Sequence, residues 1–324
     1  MKAVMCNQWG PYDQLTIEEI DSPKIKADEV LVDIKAVGLN FFDTLIVEKK
    51  YQVQPELPFS PGGEIAGVVR EVGAAVAGFG PGDRVMACVG YNGAREQLAI
   101  PAIKVTPIPD NLSFEVAAGL SITYGTSLHA LRDRAKIRPG ETLAVLGASG
   151  GVGQSAIEIG KYLGARVIAC ASSKEKLTTC QQLGADELLN YKQVDLKTEL
   201  KRLTDGKGVD VVYDPVGGDM SEAALRATGW NGRFLVIGFA SGSIAKIPLN
   251  LPLLKGNQIL GVFWSKHIER EPQKHLTNLS TIINLCANGT ILPRVYKIKP
   301  LIQIKLALDA IAKRKVQGKV ILTV

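Results

Sequence analysis

The sequence predicts an α/β chain in two parts: an antiparallel β-barrel or sandwich and a doubly wound parallel sheet. Three observations predict it. Residues 1 to about 110 hold short Val- and Ile-rich runs closed off by Gly, Pro, Asn or Asp. From about 120 to 262, apolar runs alternate with amphipathic segments of helical length. A glycine turn, "LGASGGVGQ", joins the first of these apolar runs to the segment after it.

The early strands are "EVLVDIKAVGL" (29–39), "GEIAGVVREVG" (63–73) and "GDRVMACV" (82–89). "PIPDNLSFEVAAGL" then supplies prolines and a capping candidate, Ser113, at the approach to the second part. Six strands follow: 142–147, 165–170, 187–190, 210–215, 233–238 and 258–263. Apolar strands spaced by helices imply parallel βαβ units, and six strands suit the dinucleotide-binding arrangement. The tail holds helix-like stretches near "HLTNLSTIINLCANG" and "LIQIKLALDAIAKRK", then a closing strand, "GKVILTV".

Composition narrows the function classes. Of 324 residues, 46% are hydrophobic and 22% charged, ordinary globular usage. No apolar run approaches a membrane span and the start lacks an apolar leader, so a cytoplasmic protein is expected, with no membrane partner. The five cysteines are scattered, and no histidine stands in an H-E-x-x-H pattern, so no metal site is expected. The net charge of +6 is spread along the chain; its densest cluster, "AKRKVQGK" (312–319), reads as a solvated helix end, and no nucleic-acid partner is expected.

The turn runs from Gly147 through Ser149, Gly150, Gly151 and Val152 to Gly153. Gly150 lets the backbone approach a pyrophosphate, and Gly153 lets helix pack on strand. Exposed N–H groups and the positive end of the helix then face the phosphates. Ala148 replaces one glycine of the strict fingerprint. An NAD site usually places Asp or Glu at the end of the second strand. Here the segment reads Cys170-Ala-Ser172-Ser173-Lys174-Glu-Lys176, whose hydroxyls and lysines suit a 2′-phosphate and point to NADPH. Ser173 is also a candidate helix cap.

Together with that turn, "VGLNFFDTLIVEKKYQ", "LPFSPGGEIAGVVREVG", "ITYGTSLHAL", "YDPVGG", "VIGFASG" and "ILGVFWS" resemble the zinc-independent quinone oxidoreductases of the medium-chain dehydrogenase/reductase superfamily. The resemblance spans essentially the whole chain. It implies a GroES-like catalytic domain made of residues 1–120 and 263–324, with a Rossmann NADPH-binding domain, 121–262, inserted between them. Zinc relatives carry cysteine in the segment matching "AVGLNFFD" and "GHE" where this chain has Gly62-Gly63-Glu64; residues 36–43 contain no cysteine. Without a Lewis acid, hydride transfer to a quinone or a conjugated enone is easier than alcohol oxidation.

By resemblance, Asn40 and Asp43 line the active-site loop, Tyr51 is a substrate-side hydrogen-bond donor, and Thr123 and Thr126 lie close to the nicotinamide. Ser149, Gly150, Gly151, Val152 and Gly153 match the pyrophosphate turn; Ser172, Ser173, Lys176 and Tyr191 match the 2′-phosphate and adenosine surroundings. Gly238, Phe239, Ala240 and Ser241, with Val262, Phe263 and Trp264, match segments beside the nicotinamide. Lys319 matches a basic position near the cofactor, or is a strand-end lysine at the surface. The substrate is a small quinone; an enone, 2-alkenal or acrylyl-CoA fits the same residues. A homodimer joined at the edge of the cofactor sheet is usual among similar proteins. A reading of another class, a non-catalytic nucleotide- or RNA-binding protein, has only Lys313-Arg314-Lys315 behind it.

Overall fold

The computed structural model describes residues 1–324, and the chain divides into two compact units. Unit 1 comprises Met1–Ile122 and Ile283–Val324; unit 2 is the continuous stretch Thr123–Ile282.

Unit 1 contains β1 (Lys2–Met5), β2 (Thr16–Glu19), β3 (Glu29–Leu39), β4 (Glu64–Val72), β5 (Arg84–Cys88), β6 (Gln97–Pro101) and β7 (Val105–Pro107). Unit 2 contributes β8 (Thr142–Val145), β9 (Arg166–Ala171), β10 (Glu187–Asn190), β11 (Val209–Asp214), β12 (Thr228–Val236) and β13 (Gln258–Gly261). The chain then returns to unit 1 with β14 (Val295–Pro300) and β15 (Lys319–Thr323).

In unit 1 the strand order is β14-β15-β3-β4-β5-β7, while β1 and β2 pair separately. The long strand β3 organises the sheet. One edge runs antiparallel to β4, and the other pairs with β6 from Glu29 to Asp33 and with β15 from Ala36 to Leu39. Alternate apolar residues of β3 and its neighbours, among them Val30, Val32, Ile34, Ile65 and Val320, form a buried core with Ile304 and Leu308 of the helix Ile304–Ala312. The two halves of the sequence meet in that core.

Unit 2 is a six-stranded sheet in the order β10-β9-β8-β11-β12-β13, with every pairing parallel. Numbered within the unit this is 3-2-1-4-5-6, the dinucleotide-binding order, whose switch point lies between β8 and β11. The helix Gly151–Tyr162 follows β8, and the helix Lys174–Gln182 follows β9. Gly160 allows the first of these to pack closely, since a Cβ there would stand 2.8 Å from Leu143 Cδ2.

The return to unit 1 falls at Ile283 and not at 263. The reason is polar as well as apolar. Asn278, in the helix Pro272–Ala287, takes a hydrogen bond from Arg132 and donates to Asp133 at 2.9 Å, while Trp264 packs against Gly125. These contacts bind residues 264–282 to unit 2. No helix is long and apolar enough to cross a membrane.

Candidate active site

In unit 2 the expected cofactor residues gather at one place, the carboxyl ends of the parallel strands. The glycine turn follows β8, Ser172 and Ser173 follow β9, Gly238 to Ser241 follow β12, and Val262 to Trp264 follow β13. Such an edge at a strand-order reversal is where open α/β sheets bind ligands.

The turn itself is shaped for a close-approaching anion. Gly147 adopts φ +56°, a conformation that favours glycine. Gly150 sits at φ −76°, ψ 169°, which any residue can adopt, so its missing side chain matters for space and not for backbone freedom. A Cβ on Gly150 would meet only Gly147 O, at 3.4 Å, and otherwise extend into open space. A Cβ on Gly153, by contrast, would lie 2.5 Å from Gly147 O and 2.7 Å from Ala148 Cα. No side chain caps the helix at Gly150, and the first-turn N–H groups of Gly151, Val152 and Gly153 have no acceptor within the helix. Three N–H donors and a helix dipole thus fit a pyrophosphate.

At the end of β9, Ser173 Oγ accepts Lys176 N–H at 3.4 Å as the helix cap, and Lys176 Nζ donates to Ser172 Oγ at 3.3 Å. Two hydroxyls and one ammonium occupy the corner where NAD sites carry a carboxylate. Tyr191 follows the next strand, β10, and is half-buried. Sequence reasoning left Asp214 without a role. It ends β11, and its Oδ1 accepts the N–H groups of Val216 and Gly217 at 2.8 and 2.9 Å, fixing the turn beside Gly147. Thr123 and Thr126 are buried in the helix Ser121–Leu128. Trp264 is buried too, edge-on to His275, whereas Phe239 and Phe263 are exposed.

Unit 1 brings together Asn40, Asp43, Tyr51 and Lys319, and adds Glu64. Lys319 is 7% exposed, which removes the surface reading. Its Nζ donates to Glu64 Oε2 at 2.7 Å and to Asn40 Oδ1 at 2.9 Å. Asn40 Nδ2 donates to the same Glu64 oxygen at 2.8 Å, and Glu64 Oε1 accepts Ile122 N–H at 2.7 Å. The Asn40 amide is therefore locked in one orientation, oxygen toward lysine and nitrogen toward carboxylate, with one N–H left to donate. Sequence reasoning missed Glu64. Glycines before a strand offered no signal, and its counterion stands 255 positions away.

Asp43, expected to line the loop, is fully buried. It caps the helix Phe41–Val47: Oδ2 accepts Asn40 N–H at 2.7 Å, while Oδ1 accepts Gly62 N–H at 3.0 Å. Both oxygens are engaged with backbone, so Asp43 positions the loop and does not reach a substrate. Burial pushes its carboxyl up to about 7, against the pull of the two N–H donors and Lys319. An unfolded Asp titrates near 3.9, so between about pH 4 and 7 the folded protein holds a proton that the unfolded chain has lost. The stability contribution is complete below about pH 4 and lost as pH rises through about 7. The thermal midpoint of the wild type relative to Asp43→Asn is expected to fall across that window. A difference that stays flat with pH would contradict the buried proton.

Tyr51 stacks on Phe42 at 5.3 Å between ring centroids. Burial, with Asp43 and Cys88 nearby, raises the phenol, which keeps it a proton-bearing donor at neutral pH. The Phe42 ring also accounts for position 63. A Cβ on Gly63 would stand 2.5 Å from Phe42 Cζ and 3.1 Å from Gly90 O, so the ring occupies the place where a histidine would begin.

Residues 26–110 match the model of the alcohol dehydrogenase GroES-like domain, and residues 151–281 that of the zinc-binding dehydrogenases. The chain is 38% identical to quinone oxidoreductase-like protein 2 of Rattus norvegicus, over 99% of this chain and 92% of the relative. Among solved structures it resembles the NADPH-complexed quinone oxidoreductase of Escherichia coli, with 29% identity, a TM-score of 0.91 and 100% of each chain covered. It also resembles the CurK enoyl reductase, with 26% identity, a TM-score of 0.89, and 99% and 98% of the two chains covered.

Proposed function

Because the chain belongs to the quinone oxidoreductase family of medium-chain dehydrogenases and reductases, we propose that it oxidises NADPH and reduces small quinones without a catalytic metal ion. The observation that carries the reading is the corner at the end of β9, where Ser172, Ser173 and Lys176 converge at the strand-end position that NAD sites fill with Asp or Glu. That set accepts a dianionic phosphate and gives NADPH its advantage over NADH.

Bound NADPH supplies the hydride; the protein supplies placement and charge stabilisation. The N–H groups of Gly151, Val152 and Gly153 hold the pyrophosphate, and Lys176 with Ser172 holds the 2′-phosphate. In unit 1, Lys319 and Glu64 fix Asn40 so that its remaining N–H points in one direction. Tyr51, kept protonated by burial, donates a hydrogen bond to negative charge on a quinone oxygen. Gly63, with the Phe42 ring beside it, and the absence of cysteine from residues 36–43 leave the zinc-ligand positions of metal-dependent relatives without ligands.

The test is NADPH oxidation followed at the nicotinamide absorbance band with benzoquinones and naphthoquinones, alongside enones, 2-alkenals and acrylyl-CoA. Turnover with quinones and not with the others is expected; turnover confined to conjugated carbonyls would select the enoyl-reductase reading that the likeness to CurK favours. Silence with every acceptor would defeat the proposal. Lys176→Glu is expected to raise the Michaelis constant for NADPH by roughly 10- to 100-fold, the worth of a charged hydrogen bond of about 1.5–3 kcal/mol, and to leave that for NADH nearly unchanged.

A further inference from the structure

All three histidines of the chain lie in unit 2, and two of them meet a carboxylate. His129 opens a π-helical turn, His129–Arg134, which continues the helix Ser121–Leu128; such turns are frequent at functional sites. Its Nδ1 lies 3.0 Å from Asp133 Oδ2. His267, from the helix Trp264–Arg270, stacks on His129 with ring centroids 3.8 Å apart and planes 13° from parallel. Ligand atoms of His129, Asp133 and His267 all lie within 4.8 Å of one another.

The second observation is independent of that grouping. His267 has a side chain only 3% exposed, yet neither of its ring nitrogens has a hydrogen-bond partner. Glu271 Oε1 is 3.5 Å from Nδ1, an ionic contact without hydrogen-bond geometry. A buried imidazole whose Nε2 has no partner, and whose Nδ1 has only the long contact to Glu271, is costly in a folded protein unless something else satisfies it. Nothing in the proposed reduction uses it.

We propose that His129, Asp133 and His267 form a binding site for one divalent transition-metal ion of the zinc type. Two imidazoles and a carboxylate are borderline ligands that zinc accepts, with a fourth position open to water or to Glu271. The ion satisfies an orphaned nitrogen of His267 and ties the π-helical turn to the helix Trp264–Arg270. In-plane lone pairs of stacked rings do not converge, so the rings turn about their Cβ–Cγ bonds on binding, a torsion with a broad profile. Arg132 and Lys274 already lie 3.5 and 3.8 Å from the Asp133 carboxylate, and Asn278 donates to it; these partners orient the ligand and also set the charge that the ion must overcome. The site is unrelated to the zinc-ligand positions of metal-dependent relatives, which match residues of unit 1.

Titration calorimetry of the whole protein with Zn2+, at neutral pH, is expected to show one equivalent bound and a raised thermal midpoint. Co2+ is expected to give visible ligand-field bands. His267→Asn and Asp133→Asn should each weaken Zn2+ binding by at least about tenfold. X-ray absorption of the Zn2+-loaded wild type gives a readout that needs no variant to fold: imidazole scattering supports the site. No stoichiometric binding, an ion without imidazole ligands, or affinity unchanged in both variants would overturn it.

Discussion

Lys319→Met is expected to destabilise unit 1 by about 3–5 kcal/mol, because it strands a carboxylate that is 1% exposed. Glu64 Oε2 then keeps a single donor, the Asn40 amide, and loses its cation. The same change frees Asn40 Oδ1, so quinone turnover should fall beyond what the loss of folded protein explains. The double variant Glu64→Gln/Lys319→Met removes both charges and is expected to recover most of the stability, since an uncharged pair costs little to bury compared with a lone ion. Denaturant midpoints of the two single variants and the double variant measure this. A Lys319→Met protein that unfolds at the wild-type midpoint would show that the ion pair contributes nothing.

The second large effect separates two glycines of one turn. Gly150→Val is expected to leave the melting point near that of the wild type, because the new Cβ meets one atom at 3.4 Å and the backbone angles are ordinary. Its side chain fills the space through which a pyrophosphate approaches the helix, and NADPH affinity should fall by at least about 100-fold, or about 2.7 kcal/mol. Gly153→Ala does the reverse in the first instance. Its Cβ would press on the main chain of Gly147 and Ala148 at 2.5–2.8 Å, and the overpacking should cost about 1–3 kcal/mol of stability. Fluorescence titration with NADPH beside thermal unfolding reads both quantities. If Gly150→Val binds NADPH as the wild type does, the turn does not hold the pyrophosphate.

Much of this was legible in the chain because the signals are local. The strands of unit 2 are apolar runs separated by helices, and β8 to β13 begin within a few residues of where those runs place them, although β12 starts earlier, at Thr228. The strand β14 was missed. "VYKIKP" carries lysines in alternation, leaves Ile298 exposed and pairs with β15 alone, so it lacks the continuous apolar face of an interior strand. The polar cluster of unit 1 was half legible. Asn40 and Asp43 stand three apart as a capping pair, whereas Glu64 and Lys319 stand 255 positions apart and share no local pattern. His129 and Asp133, four apart on one helical face, were a readable pair; the distant His267 that completes the group was not.

Strand β15 lies inside the unit 1 sheet, between β14 and β3, and it carries Lys319. During synthesis the uninterrupted stretch of unit 2 can therefore collapse while unit 1 still waits for residues 319–323 to leave the ribosome. Until they arrive, half of one edge of β3 stays open and Glu64 has no counterion. A nascent chain stalled before Gly318 would expose that edge to chaperones and to other chains, so completion of unit 1 is gated by the emergence of β15.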